Sequence, residues 1–160
     1  MRTLIRRLFK VALVLGMMQA LLLGAAVAAR RFIREWGDEE SDEFQLAAVL
    51  DGREMKSRAR NLRGATVIAC YGGVELDLRG AQLSAGGADL RVVAIFGGVS
   101  LLVPDGWNVH MKTTAVLGGS EKRTTADEDL PPGAPQLTIR ATAAFGGVAV
   151  RAKAPSLIAA

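Results

Sequence analysis

The chain has one cysteine and one histidine in 160 residues. A lone cysteine, Cys70, excludes an internal disulfide and any metal cage built on several thiolates. It sits in the apolar run Val67-Ile68-Ala69-Cys70 and reads as a buried, unreactive thiol. The lone histidine, His110, lies between Val109 and Met111 with no metal-ligand spacing around it, and reads as a solvent-facing strand residue. Aromatic residues make up only 5%, which leaves little to stack on nucleic-acid bases. The first 34 residues contain no acid, and residues 35–43 contain no base. Seven Arg or Lys in that first segment account for most of the net charge of +4, so the basic balance gives no ground for a nucleic-acid partner. No glycine-rich loop leads into Lys-Ser or Lys-Thr, so a phosphate cradle is missing. No catalytic constellation, cofactor motif or metal-ligand set is found, and none of these is expected.

What the chain does have is apolar residues, at 50%, and 18 glycines. That profile suits small side chains packed in thin layers with tight turns. Val11–Ala29 is a run of 19 residues without a charge, close to the length that crosses a bilayer. Arg2, Arg6, Arg7 and Lys10 precede it, and Arg30, Arg31 and Arg34 follow. Residues 1–34 therefore read as a single-pass anchor in the cell membrane, with residues 8–31 against lipid. The alternative is a secretory signal cut near Ala26-Val27-Ala28. The run is longer than the usual signal core, and Arg30-Arg31 follow the cut site at once, which favours the anchor. Four basic residues on one side and three on the other do not assign the side on which the domain lies. Residues 35–43 read as an acidic linker whose charges hold the domain off the headgroups. Trp36 within it either rests at the interface or packs on the domain. Residues 44–154 form the domain proper and 155–160 a tail.

The domain carries a repeat. Ala69-Cys70-Tyr71-Gly72-Gly73-Val74, Ala94-Ile95-Phe96-Gly97-Gly98-Val99, Ala115-Val116-Leu117-Gly118-Gly119-Ser120 and Ala143-Ala144-Phe145-Gly146-Gly147-Val148 align without gaps. A weaker copy, Ala48-Val49-Leu50-Asp51-Gly52-Arg53, precedes them. Spacings of 21, 25, 21 and 28 residues fall in the range of stacked repeat architectures. An apolar strand leads into each glycine pair, and an alternating strand such as Val74-Glu75-Leu76-Asp77-Leu78 leads out. The glycines are expected to adopt backbone angles closed to other residues, so that the chain can turn. The fold class is therefore all-β: a solenoid-like stack with Gly-Gly corners, behind one membrane helix. Hairpins with Gly-Gly turns in an ordinary sandwich are the alternative. Recurrence of the whole unit, from Ala three places before the pair to the residue after it, favours the stack.

The irregular segments hold the candidate contact residues. Pro104-Asp105-Gly106 reads as a turn. Trp107 after it belongs to a residue type common at binding hot spots, with core packing as its alternative. Glu121–Pro135 is the longest polar stretch and reads as an exposed loop. Its Asp127, Glu128 and Asp129 lack the ligand spacing of a calcium loop and read as solvated contact residues. Lys56, Arg58, Arg60 and Arg63 form a basic edge that discourages aggregation, or that meets anionic lipid or an acidic partner.

Phe96-Gly97-Gly98-Val99, then Val103-Pro104-Asp105-Gly106-Trp107-Asn108-Val109, then Leu117-Gly118-Gly119, resembles the C-terminal domain of LiaF-type cell-wall-active antibiotics response proteins. It also resembles the related toastrack domains of bacterial envelope-stress systems. The resemblance covers residues 46–152 and is most specific over 94–119. It implies a β-solenoid-like domain on a membrane protein that acts by protein contact, restraining a sensor kinase and its response regulator, without catalysis. Two departures stand out: one short anchor in place of several spans, and Ser120 and Lys122 where the repeat expects apolar residues. The expected function is a non-catalytic, membrane-anchored interaction module in envelope-stress sensing or signalling. The alternative is a self-associating envelope scaffold of the bactofilin kind, stacked end to end. A retained anchor predicts full-length protein in the membrane pellet, resistant to high salt and released by detergent; a soluble form beginning near Ala29 would overturn it.

Overall fold

The computed structural model describes residues 2–29, 31 and 33–154. The chain divides into two compact units, residues 1–33 and 34–160. The first is helix α1, Arg2–Ala29. Its segment Ile5–Ala25 has a mean hydropathy of 1.9 and is long and apolar enough to cross a bilayer, a property that a signal sequence shares. The helix starts well before the uncharged run at Val11, because Arg6, Arg7 and Lys10 are good helix formers and do not interrupt it.

The second unit is mostly β. Its ten strands are β1 (Glu43–Val49), β2 (Gly52–Lys56), β3 (Gly64–Cys70), β4 (Gly73–Asp77), β5 (Ala88–Ile95), β6 (Gly98–Pro104), β7 (Asn108–Val116), β8 (Gly119–Arg123), β9 (Gln136–Ala144) and β10 (Gly147–Lys153). They form two parallel five-stranded sheets, ordered β1-β3-β5-β9-β7 and β2-β4-β6-β10-β8. The strands on either side of each glycine pair thus belong to different sheets, which rules out hairpins at these corners. Each such pair of strands makes one level of the molecule, and like positions of the repeat pair across levels. Ala69 lies beside Ala48 and Ala94, and Ala94 beside Ala143. Val99 lies beside Val74 and Val148.

The period-2 pattern explains the core. Val67, Ala69, Val92, Ala94, Ile139 and Ala143 point inward from the first sheet and are buried. Val74, Leu76, Val99, Leu101, Val148 and Val150 meet them from the second sheet. Ala69, Ala94 and Ala143, each three places before a glycine pair, are buried at the end of the core nearest the corner.

The corner itself works differently from the expectation. Leu50, Tyr71, Phe96, Leu117 and Phe145, each just before the pair, have φ between 50° and 63°. The left-handed residue is thus the large apolar one. Among the described glycines, positive φ occurs at Gly37, Gly87 and Gly133 and at none of the paired ones. What the first glycine provides is close approach. A Cβ on Gly72 would lie 2.1 Å from the Asp51 carbonyl oxygen, on Gly97 2.3 Å from that of Gly72, on Gly146 2.1 Å from that of Gly97, and on Gly118 2.4 Å from that of Gly146. The same carbonyls accept the amides of the second glycines: Gly98 N donates to Gly72 O and Gly147 N to Gly97 O, both at 3.1 Å. The hydrogen-bond ladder therefore runs unbroken round the corner. The second glycines have space around them.

The last two levels are out of sequence order. From β6 the chain passes through Asp105–Trp107, skips a level, and lays down β7 and β8 at the far end; residues 124–135 then return, and β9 and β10 fill the gap. Thr125 Oγ1 donates to Asp105 O at 2.7 Å and Asn108 N to Pro135 O at 2.9 Å, tying the two crossing segments together.

Gly97→Ala should destabilise the domain by about 1–3 kcal/mol or more, as overpacking against fixed backbone does. Gly98→Ala, whose Cβ would be 4.0 Å from the nearest atom, should stay within about 0.5 kcal/mol of wild type. Urea unfolding of both variants checks this; equal effects would contradict the close-approach account.

Candidate functional site

Residues 34–42 do not form a free spacer. They belong to the β unit and lie along its first level. Trp36 and Gln45 exchange backbone hydrogen bonds in an antiparallel bridge on β1. Glu35 accepts the Ala47 amide at 3.1 Å and pairs with Arg53 at 3.2 Å; Glu39 pairs with Arg58 at 2.7 Å. Asp42 O accepts the Arg63 amide at 2.8 Å, and Glu43 lies 3.5 Å from the Arg63 guanidinium. The acidic segment is a strap. It is also the acidic partner of Arg58 and Arg63 in the basic stretch, supplied by the chain itself. Trp36 bridges to the domain and stays 51% exposed.

The opposite end is open. β7 pairs with β9 on one side, and no described strand pairs with its other edge. Every residue from Lys112 to Ser120 is exposed. Thr113, Ala115, Ser120 and Lys122 occupy the positions that point inward at other levels, in register with Ala141, Ala143, Val148 and Val150. The break in the third full repeat is therefore the polar finish of an end level. Glu121–Arg123 belong to β8, and Asp127–Asp129 form one exposed 3-10 turn in the return loop. Trp107 is buried in the core, 6% exposed, which is the packing alternative and removes it from the contact surface. The tail, 155–160, lies outside the described residues.

The corner residues stack, Tyr and Phe on Phe, as stacking of like units implies, but they make an outer ridge where the sequence suggested a continuous core. The Tyr71 and Phe96 rings stack at 4.8 Å and the Phe96 and Phe145 rings at 4.7 Å, with Leu50 and Leu117 at the two ends. Beside the ridge on the first sheet's outer face stands the column Val49, Cys70, Ile95, Ala144, Val116. Cys70 is thus not a core residue: it faces outward and is half-buried, and that burial pushes its thiol up from the ordinary value. On the other side of the ridge, the second glycines leave an open groove of 840 Å³ across all five levels, floored by Gly52, Gly73, Gly98, Gly119 and Gly147. The ridge was legible only as a conserved spacing of large apolar residues before each pair within this one chain; which way they point depends on their left-handed φ.

No group of three or more His, Cys, Asp or Glu that could hold a metal ion occurs among the described residues. His110 is exposed on β7. The glycine pairs, Gly72-Gly73, Gly97-Gly98, Gly118-Gly119 and Gly146-Gly147, lie in a line along one edge of the two sheets.

Two curated proteins of Mycobacterium tuberculosis are similar to this chain. The uncharacterized protein MT0994 of strain CDC 1551 / Oshkosh is 30% identical over 141 residues, covering 87% of this chain and 67% of its own length. The uncharacterized protein Rv0966c of strain ATCC 25618 / H37Rv is 29% identical over 141 residues, with the same shares. No protein-family model matches the chain. No solved structure matches it either.

One ion pair in the β unit is largely sheltered from solvent. Asp77 takes two bonds from the Arg79 side chain, at 2.9 and 2.7 Å, and is 6% exposed. These bonds hold its carboxyl below the usual range. Each charge already has its partner, so the pair is structural. Because the folded value is the lower one, the stabilisation is complete above the unfolded value of about 3.9 and is lost as pH falls through the folded value. Asp77→Asn should cost about 1–3 kcal/mol at neutral pH, and the gap between variant and wild type should narrow below about pH 4. Thermal melts across that range check it.

Proposed function

From the premise that this chain belongs to the family of the M. tuberculosis proteins MT0994 and Rv0966c, we propose that it is a membrane-anchored, non-catalytic protein-interaction module of the cell envelope, built on a β-solenoid. The single observation that carries this reading is the open edge of β7. Along Asn108–Val116 the alternate residues Val109, Met111, Thr113 and Ala115 turn their N–H and C=O groups to the side on which no described strand pairs. Natural sheets blunt such edges with charge, proline or a bulge. β8 follows that rule with Glu121, Lys122 and Arg123, whereas β7 has no proline and its one fully charged residue is Lys112. An extended segment of a partner can add to this edge as a further strand, with main-chain hydrogen bonds for affinity and alternate side chains for selection. The exposed Asp127–Glu128–Asp129 turn lies in the adjoining return loop and offers a charged rim.

The resemblance to LiaF-type domains supports a role in envelope-stress signalling, with a sensor kinase or another membrane signalling protein as the partner. An end-to-end scaffold is the weaker reading. The strap of residues 34–42 occupies one end of the stack, and Thr113, Ser120 and Lys122 interrupt the inward positions of the other end beside Met111 and Ala115, so neither end offers an unbroken apolar layer to a second copy.

A photo-crosslinker at Thr114 or Glu128 in cells should yield adducts with one distinct envelope protein. Ladders containing this chain alone would transfer the reading to the scaffold, and absence of adducts at both positions would overturn it.

A further inference from the structure

The outer corner of the stack is a continuous apolar surface that the interaction edge does not use. Along the ridge, Leu50 is 38%, Phe145 50% and Leu117 77% exposed; in the adjoining column Ile95 is 39% and Val116 59% exposed. Ile68 and Val93 continue it one position further back on the same outer face. Five levels at the strand spacing of about 4.8 Å make a straight ridge of roughly 19 Å. Contiguous apolar surface of this kind marks a contact site rather than ordinary solvent-facing residues.

The charges around it are asymmetric. Beyond the apolar columns, Arg91, Arg140 and Lys112 stand in one register row, all exposed and facing outward. The acid near them is Asp89, 4.0 Å from Arg140. On the other flank Glu54 is paired with Lys56, and Glu121 with Arg123 and Arg151. Glu54, Glu75 and Glu121 share one register row there and their cations bring that flank close to neutral, so the cationic side of the ridge is the one with Arg91, Arg140 and Lys112.

We propose that this corner docks on an anionic lipid surface, with the Leu50–Tyr71–Phe96–Phe145–Leu117 ridge in the interface and the Arg91, Arg140 and Lys112 row against the headgroups. A convex, straight ridge suits a flat and laterally uniform partner better than a folded protein, which needs a concave or complementary face. Aromatic and aliphatic side chains enter the headgroup boundary by about 5–10 Å, and basic residues nearby add attraction to anionic lipid. The basic row lies about 16 Å back along the strands from the ridge, so a sheet leaning over the bilayer brings its long side chains to the headgroup layer. The same chain carries a helix long and apolar enough to cross a bilayer, which supplies the surface. Docking by the corner leaves the β7 edge free for a protein partner.

The chain has a single tyrosine, Tyr71, and it lies in the ridge. Full-length protein containing fluorotyrosine, reconstituted in nanodiscs of phosphatidylcholine with or without phosphatidylglycerol, gives one fluorine resonance from the site. With phosphatidylglycerol present, acyl-chain nitroxide lipid should broaden that resonance several-fold more than a water-soluble paramagnetic chelate does. The preference should vanish in pure phosphatidylcholine, and in the Arg91→Glu, Arg140→Glu, Lys112→Glu triple variant. All three positions are exposed; if that variant fails to fold, the comparison of the two disc compositions with the wild-type chain decides. Broadening by the chelate in both discs would leave the ridge in water and overturn the proposal. Resistance to both reagents would mean that a second copy or another protein covers it, and equal lipid broadening without phosphatidylglycerol would remove the anionic surface. Either result overturns the proposal as well.

Discussion

The contact on which the rest of the β unit depends is the approach of one corner to the next. At four of the five levels a carbonyl oxygen stands within 2.4 Å of where the first glycine's Cβ would be, and it also accepts the second glycine's amide. A backbone that close fixes the spacing and the register of both sheets at once, since a corner belongs to one strand of each. A slip by one residue would reverse the inward set of Val and Ala on both sheets and drive a side chain into the carbonyl. The left-handed φ of Tyr71, Phe96 and Phe145 costs about 1–2 kcal/mol apiece, and the stacked rings contribute about 0.5–1.5 kcal/mol per pair in return. Three such residues against two stacked pairs leave the rings short of the cost, so the column persists because the corner hydrogen-bond ladder acts with the ring stack.

The two ends of the stack follow from the same contact. Each first glycine directs its missing Cβ toward the neighbouring level nearer β1 and β2: Gly72 toward Asp51, Gly97 toward Gly72, Gly146 toward Gly97 and Gly118 toward Gly146. Asp51 occupies the equivalent place in the first level, where no further level of strands stands on that side. A side chain is tolerated there, and the first copy of the repeat can depart from Gly-Gly. At the far end the core has no next layer to meet, so Ser120 and Lys122 replace the Val and Leu found inside.

Much of this was legible in the sequence. The number of units, the inward positions such as Val74, Leu76 and Leu78, and the adjacency of like units follow from period-2 alternation and from the repeat itself. The reason for the glycines was not, because conformational freedom and close approach leave the same residue in the same place, and only the backbone distances separate them. The strap was misread as a spacer because a run of six acids in residues 35–43 gives no sign of which cations it faces; Arg53, Arg58 and Arg63 are brought to it by the first two levels. Trp107 had both readings open, and its burial depends on a chain crossing that no local pattern records.

That crossing also sets how the fold closes. With β7 and β8 laid down two spacings beyond β6, the fifth spatial level has no neighbour until β9 and β10 arrive. The strand-pairing contacts of β7 are therefore made by residues later in the chain, across the return loop of 124–135. Loop closure must precede them, so the far end cannot propagate level by level as a simple repeat does. The first three levels are joined in sequence order; β9 and β10 pair onto β5 and β6, and only then do β7 and β8 have a neighbouring strand. The open β7 edge is thus held in place by the last strands of the domain. Its position depends on β9 and β10 more than on β7 itself.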